Sequence, residues 1–319
     1  MLTPPPRITE ALERRAALAK RPDLDSYRLF HGDAEGIPGL AVDRFRDVAV
    51  IHADSPELLA ESLPALRAEL AECASAYAKV HPRGAASLSA EERHRFAGEE
   101  PIWGARVDEV VVTEMGVRYV VRPTAGLSVG LFLDMRDVRQ WLRGVTRGRS
   151  VLNLFAYTCS LGACATLGGA SRVVNLDLSR PYLEWGKANY RLNGLEPDDR
   201  DFIYGDALDW LHRFARREQR FDTVIVDPPS FSSTPFTVTR DYARLVAAAA
   251  SVVSPAGTLL AATNHARTTD ARFNAWLRKG LEEAGRYGRI LKGWHEPALD
   301  FPLPAGQTPY LKVRALALD

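Results

Sequence analysis

Beyond about residue 126 the chain alternates short apolar runs with helix-forming stretches, and this rhythm limits the possible folds more than any other feature. SVLNLF (150–155), RVVNLD (172–177), DFIYGD (201–206), DTVIVD (222–227) and GTLLAAT (257–263) are each followed by a helical segment. Such alternation marks βαβ units assembled into a doubly wound parallel sheet. Two more strand candidates, near 287–293 and 310–317, are expected to form an edge hairpin. Ligands of open α/β sheets bind beyond the carboxyl ends of the strands. The residues just past each run are therefore the first candidates for chemistry.

The residues before 126 follow another pattern. A loose tail (1–6) precedes ITEALERRAALAKR, which reads as an amphipathic helix with Thr9 as its N-cap. Apolar runs at 40–42 and 48–51 flank the charged DRFRD and predict a hairpin. Residues 55–71 have helical periodicity, and AYAKV, ARVDEVVVTE and GVRYVVRP read as strands. The expected division is a tail and helix (1–26), an α+β domain (27–125) and a larger α/β domain (126–319). RPTAGLSVG, with Pro123, Gly126 and Gly130, holds the linker.

Bulk properties exclude several classes. With 41 basic and 40 acidic residues the net charge is +1, so any nucleic-acid site must be a local patch. Candidate phosphate contacts are Arg7, Arg14, Arg15, Lys20 and Arg21, then Arg136, Arg139, Arg143, Arg147 and Arg149. Three cysteines without a Cys-x-x-Cys pair suggest neither a disulfide framework nor a zinc site, and the seven histidines lack ligand spacing. No run reaches the ~18 apolar residues of a membrane span. A cytoplasmic protein with no metal and no membrane partner is expected; the sequence defines no oligomeric state.

The strand ends carry the acids. The first run leads into NLFAYTCSLGACATLGGA, a turn before a helix starting near Ser160. Gly162, Gly168 and Gly169 come too late for a dinucleotide-binding turn, so phosphate binding is not expected. The second run ends at Asp177, about 20 residues on, where a carboxylate can accept both hydroxyls of a ribose. It could instead cap the helix beginning near Ser179. Asp206 follows the third run and could meet an adenine amino group, although a helix cap is the simpler reading of that residue alone. The fourth run enters DPPSF. Pro228 and Pro229 hold Asp227 in a rigid bend that can present carbonyl oxygens to a planar ligand, with Phe231 near enough to stack. The plainer alternative is a strand-ending turn with a surface aromatic.

Taken together, VLNLFAYT, VVNLDLSRPYLEWGKANYRLNGL, GDALDWL and FDTVIVDPPSF resemble the class I S-adenosylmethionine-dependent methyltransferases. They resemble in particular the large-subunit ribosomal RNA branch that contains cytosine-C5 and guanine-N7 enzymes. GLFLDMRDVR (130–139), YRLFHGDAEGIPGLAVDRF (27–45) and PYLKVRAL (309–316) extend the likeness over nearly the whole chain from about residue 27. The resemblance implies a mostly parallel, seven-stranded Rossmann-like methyltransferase sheet, S-adenosyl-L-methionine as cofactor and RNA, ribosomal in kind, as partner. It implies that Phe155, Tyr157 and Thr158 line the cofactor turn, and that Asn153 also contacts the cofactor. Asp177 holds the ribose, with Leu178 and Ser179 beside the adenine. Asp206 and Ala207 meet the adenine, and Asp134 and Arg136 lie near the methionine end. Asp227 also touches the cofactor site and, with Pro228, Pro229 and Phe231, faces the target base.

Three departures from that branch matter. In place of its usual N-terminal RNA-binding module, at most a 26-residue stub is expected from the residues before Tyr27. Its glycine after "YT" is replaced by Cys159, which puts a β-carbon where positive φ is expected. Its nucleophilic cysteine after strand five is missing: the place reads AATNHART, and no cysteine follows Cys164. Carbon 5 of cytosine normally requires thiolate addition at carbon 6. A ring nitrogen needs no covalent adduct, only alignment with the methyl donor. Asn264 resembles the asparagine of the guanine-N7 members and could bind a base edge; His265 could act as a base, or simply be a solvated loop residue. The expected function is therefore methylation of a base nitrogen in ribosomal RNA. The alternatives are cytosine-C5 methylation, a small-molecule methyltransferase, and a non-catalytic RNA-binding protein with a degenerate cofactor site.

Overall fold

The computed structural model of the chain describes residues 7–81, 90–229 and 237–319. The chain divides into two compact units, Met1–Leu133 with Pro297–Gln307 and Asp134–Glu296 with Thr308–Asp319.

In the first unit, β1 (Ser26–His31), β2 (Leu40–Phe45), β3 (Val48–Ala53) and β4 (Ser75–Val80) form a sheet in that order. The expected hairpin is β2–β3. Phe45 pairs with Val48, so the turn is only two residues, and Arg46 takes φ 62° to close it. β3 and β4 are parallel and therefore need a crossover, which helix Pro56–Glu69 supplies. Ser55 caps that helix by accepting from the Leu58 N–H at 3.2 Å. β5 (Val110–Glu114) and β6 (Val117–Val121) make a separate hairpin. The core holds Phe30, Val42, Ile51, Leu66 and Ala76.

The N-terminal segment departs from the sequence reading. It forms two helices, Arg7–Arg14 and Ala16–Ala19, and Thr9 lies inside the first turn rather than capping it. Arg15 between them turns inward, 1% exposed, and makes a forked pair with Glu35 at 2.6 and 3.0 Å. Its remaining donors go to the carbonyls of Ala11, Arg28 and Asp300. Arg15 is thus a neutralised interior group and not a phosphate contact. Arg136 and Arg139 in the second unit are also buried, which removes them from the expected basic surface.

The second unit carries β7 (Ser150–Leu154), β8 (Arg172–Asp177), β9 (Phe202–Tyr204), β10 (Phe221–Val226), β11 (Val253–Thr263), β12 (Gly288–Trp294) and β13 (Lys312–Leu318). Their order is β12-β13-β11-β10-β7-β8-β9, with β13 antiparallel to both neighbours and the other pairs parallel. Side chains alternate between the two faces, as period-2 geometry requires. Leu152, Val224, Val226 and Leu259 pack with helices Ala207–Arg216, Val238–Ala250 and Asp270–Glu283. Val151, Ile225 and Leu260 pack with helices Arg136–Val145 and Ser160–Leu167 on the other side. Both faces are buried, which explains why these strands read as continuous apolar runs. The strand order reverses between β7 and β10, and a crevice at the carboxyl ends follows from that switch.

Candidate active site at the carboxyl edge

The turn after β7 has an unusual backbone. Phe155, Tyr157 and Cys159 all lie in the left-handed region, at φ 55°, 49° and 57°, with Ala156 and Thr158 between them. Each such residue costs about 1–2 kcal/mol when it is not glycine, so the surroundings must hold the turn. Three bonds from outside the turn and one within it do so. The Ala156 N–H donates to the Leu176 carbonyl (3.0 Å), the Tyr157 N–H to Asp177 Oδ2 (2.8 Å) and the Cys159 N–H to the Ala156 carbonyl (2.7 Å). Asn189 Nδ2 donates to the Thr158 carbonyl at 2.9 Å.

The Cys159 side chain is fully buried against Gly186, where an added β-carbon would lie 2.3 Å from Sγ. Glycine at 186 makes room for the β-carbon at 159, and burial pushes the Cys159 thiol well above its usual range. Cys159 is therefore a packed, protonated residue.

Asn153 lies one layer down. Its Nδ2 donates to Asn175 Oδ1 (2.9 Å), and Asn175 Nδ2 donates to the Tyr190 hydroxyl (3.0 Å), all three side chains being buried. Gly162 passes over this chain so closely that a β-carbon would come within 2.1 Å of Asn175 Oδ1. The network thus sets the height of helix Ser160–Leu167, and Asn153 and Thr158 sit beneath the crevice rather than facing it.

Asp177 ends β8. Its Oδ2 takes the Tyr157 N–H and its Oδ1 takes the Ser179 N–H, both at 2.8 Å. The helix cap is Ser179, whose hydroxyl accepts from Tyr182 N at 3.4 Å, so Asp177 is not spent on capping. Burial raises the Asp177 pKa, and the backbone donors of Tyr157, Ser179 and Leu178 pull against that rise. Each carboxylate oxygen retains a lone pair for a ligand hydroxyl. Beside it Leu178 is 45% exposed, an apolar surface suited to a flat ring. After β9, Asp206 caps helix Ala207–Arg216 through Leu208 N (2.9 Å) and Asp209 N (3.1 Å), as the simpler reading held. Ala207 is buried behind it.

The far side of the crevice is less satisfied. Asp134, in the turn Leu133–Met135, accepts from the Tyr310 hydroxyl at 2.9 Å. Asp227 follows β10, and no hydrogen bond reaches its carboxylate among the described residues. Burial, and then the negative charge of Asp134, push its pKa up to about 7. Pro228 is buried and Pro229 exposed; Phe231 lies outside the described residues. Asn264, just past β11, is exposed. His265 is half-buried, its Nδ1 2.9 Å from Thr268 Oγ1, and burial lowers its pKa.

The strand ends thus bring the regions of Asp177, Asp206, Asp227 and Asn264 to one edge. Sequence reasoning missed Gly186, which makes room for Cys159, and Tyr310, which bonds Asp134; neither carried a local signal.

Residues 27–280 match the family described as S-adenosylmethionine-dependent methyltransferase. Ribosomal RNA large subunit methyltransferase I of Aeromonas salmonicida is 32% identical over 297 residues, covering 90% of this chain and 72% of that protein. Ribosomal RNA large subunit methyltransferase K/L of Shewanella frigidimarina is 32% identical over 265 residues, 81% of this chain. The chain spans 37% of the length of that K/L protein. The solved structure of SMU.776 complexed with SAH aligns with a TM-score of 0.88 at 26% identity, over 98% of this chain and 80% of that one. The chain belongs to the S-adenosylmethionine-dependent methyltransferase family.

Proposed function

We propose that the chain methylates a base nitrogen of ribosomal RNA, in the manner of a guanine-N7 enzyme and without a covalent enzyme intermediate. The observation that carries the choice of nitrogen is the absence of a thiol at the acceptor side. The chain has three cysteines. Cys73 belongs to the first unit, and Cys159 and Cys164 are buried in the β7 turn and the helix after it. Carbon-5 chemistry thus lacks its nucleophile. The choice of ribosomal RNA rests on the names of the relatives, and residues 27–125 are assigned to substrate recognition.

The crevice suits the cofactor. Asp177 keeps acceptor capacity for ribose hydroxyls, Leu178 flanks the adenine, the Asp206–Ala207 backbone meets its edge, and Asp134 with Arg136 lies toward the methionine end. When bound, S-adenosylmethionine supplies a methyl group already activated on sulfur. Asp227 becomes anionic near neutral pH. It can accept an N–H of the base and stabilise the positive charge that appears when a ring nitrogen is alkylated. The base itself must be unstacked to reach Asp227.

The test is mass mapping of modified nucleosides in large-subunit ribosomal RNA from cells with and without the gene. Loss of one 7-methylguanosine is expected. Loss of a 5-methylcytidine would overturn the nitrogen assignment, and unchanged RNA would overturn the substrate.

A further inference from the structure

The sheet of the first unit has an apolar face and a polar one. Phe30, Val42, Ile51 and Ala76 enter the core. Side chains alternate along a strand and partners in a ladder share a face, so Asp43, His52 and Lys79 lie on the other side. Arg28 and His31 would fall on opposite faces of a regular strand. The β1–β2 register skips Leu29, pairing Arg28 with Asp43, Phe30 with Val42 and His31 with Ala41. This bulge turns Leu29 and Phe30 both into the core and brings Arg28 and His31 together on the polar face.

A chain of hydrogen bonds then crosses that face. Arg28 is forked onto Asp43 at 2.7 and 3.1 Å, and its Nη1 donates to His31 Nδ1 at 3.1 Å. His52 Nε2 donates to Asp43 Oδ2 at 3.1 Å, and His52 Nδ1 lies 3.1 Å from His81 Nε2. A guanidinium only donates and a carboxylate only accepts, so the protons are set from the middle outward. His31 carries its proton on Nε2. With His52 neutral, His52 Nδ1 accepts from His81 Nε2, which leaves His81 Nδ1 as an acceptor. Burial, reinforced by Arg28 at His31 and by His52 at His81, lowers both pKa values to about 4, so both rings are neutral near pH 7. Burial opposes ionisation of Asp43, but Arg28 and His52 hold its carboxyl well below the usual range. Its charge cancels that of Arg28.

The ends of this chain are open. No hydrogen bond reaches His31 Nε2 or His81 Nδ1 among the described residues. His31, His52 and His81 are half-buried, not sealed, and only the small Ala41 stands between His31 and His52 in their row. The nearby Lys79 ammonium is engaged with the carbonyls of Ala97, Gly98 and Pro123. The face thus offers a donor at one end and an acceptor at the other, with no net charge.

We propose that this face is the RNA-binding surface of the first unit, where His31 and His81 each hydrogen-bond the edge of an unpaired base. The inference rests on the RNA reading above. A phosphate calls for an uncompensated cation, whereas the exposed edges of single-stranded bases present neutral donors and acceptors. His31 in β1 and His81 just past β4 stand three strand spacings apart, about 14 Å, so they serve two bases and not one.

The test is fluorescence anisotropy of the full chain with a fragment of large-subunit ribosomal RNA over a series of salt concentrations. His31→Phe and His81→Phe keep a ring beside Phe301 and His52 but delete the outward hydrogen bond. Each should weaken RNA binding about fivefold, the scale of one neutral hydrogen bond, with SAH affinity by calorimetry within about twofold of wild type. The slope of log affinity against log salt should not change. A slope smaller by about one would mean a lost phosphate contact and would overturn the base assignment. A loss seen with RNA but absent with DNA of the same sequence would assign the contact to the 2′-hydroxyl and overturn it too. Unchanged RNA affinity in both variants would make the network purely structural and sink the proposal. A wild type that binds no RNA overturns the RNA reading itself, and this inference falls with it.

Discussion

Asp177 and Asp227 end neighbouring parts of one sheet and are treated in opposite ways. Asp177 receives two backbone N–H groups at 2.8 Å and is fixed before any ligand arrives. Asp227 receives no hydrogen bond among the described residues, stands near Asp134, and ionises only at about pH 7. The contrast teaches that the two halves of the crevice carry different loads. The half proposed to hold the cofactor is pre-organised, so little ordering would remain for binding to offset. The proposed acceptor half holds one carboxylate, Asp227, that no hydrogen bond reaches among the described residues, a strain the proposed substrate would relieve.

The largest effect should come from breaking the satisfied half. Asp177→Ala removes both the ribose acceptor and the anchor of the Tyr157 N–H. Affinity for S-adenosylmethionine should fall by about 100-fold or more, since each hydrogen bond to a charged group is worth about 1.5–3 kcal/mol. Calorimetry checks this; an affinity within fivefold of wild type would remove Asp177 from the site.

Asp227→Asn should act on turnover instead, lowering kcat by about 100-fold with cofactor affinity within a few-fold. The same residue gives a pH signature of known sign. Its folded pKa lies above the unfolded value, so the native state binds the extra proton and stability falls as pH rises from about 4 to about 7. Activity should rise through about pH 7 as the carboxylate forms. Denaturant unfolding across that window should show the stability slope in wild type and a flatter one in Asp227→Asn.

A third effect sharpens the comparison within the cofactor turn. Gly186→Ala puts a β-carbon 2.3 Å from Cys159 Sγ and should destabilise the protein by about 1–3 kcal/mol. Adding Cys159→Gly should restore most of that loss, because it removes the clash and supplies the residue best suited to φ 57°. Additive losses in urea unfolding would show that the two sites are not coupled.

The smallest effect is Tyr310→Phe, which deletes the hydrogen bond to Asp134. One such bond is worth about 1.5–3 kcal/mol at most when buried, and less beside solvent. Cofactor affinity should drop by about fivefold, read in the same titration.

The legible parts of this molecule were those with a local signature. The five apolar runs, the helices between them and the carboxylates at their ends all follow from period and punctuation. The closing β12–β13 hairpin was visible too, although not that β13 would insert beside β11. What stayed hidden depends on partners far away in the chain. The left-handed turn at 155, 157 and 159 has no glycine to announce it and is held by Asp177, Asn189 and the space at Gly186. Arg15 and Arg139 look like surface charge in a helical pattern but are interior. Residues 297–307 return to the first unit, where the Asp300 carboxylate accepts from Arg28 N and Arg28 lies 4.4 Å from the Phe301 ring centre. No periodicity predicts a contact of that separation.

The division of the crevice into a prepared cofactor half and an open acceptor half is tested most directly by a crystal structure of the chain with SAH. The account predicts both ribose hydroxyls within hydrogen-bond distance of Asp177, with Asp227 beside the sulfur and in contact with no ribose oxygen. A ribose held by Asp227, or SAH bound away from the carboxyl ends of β7 and β8, would contradict it.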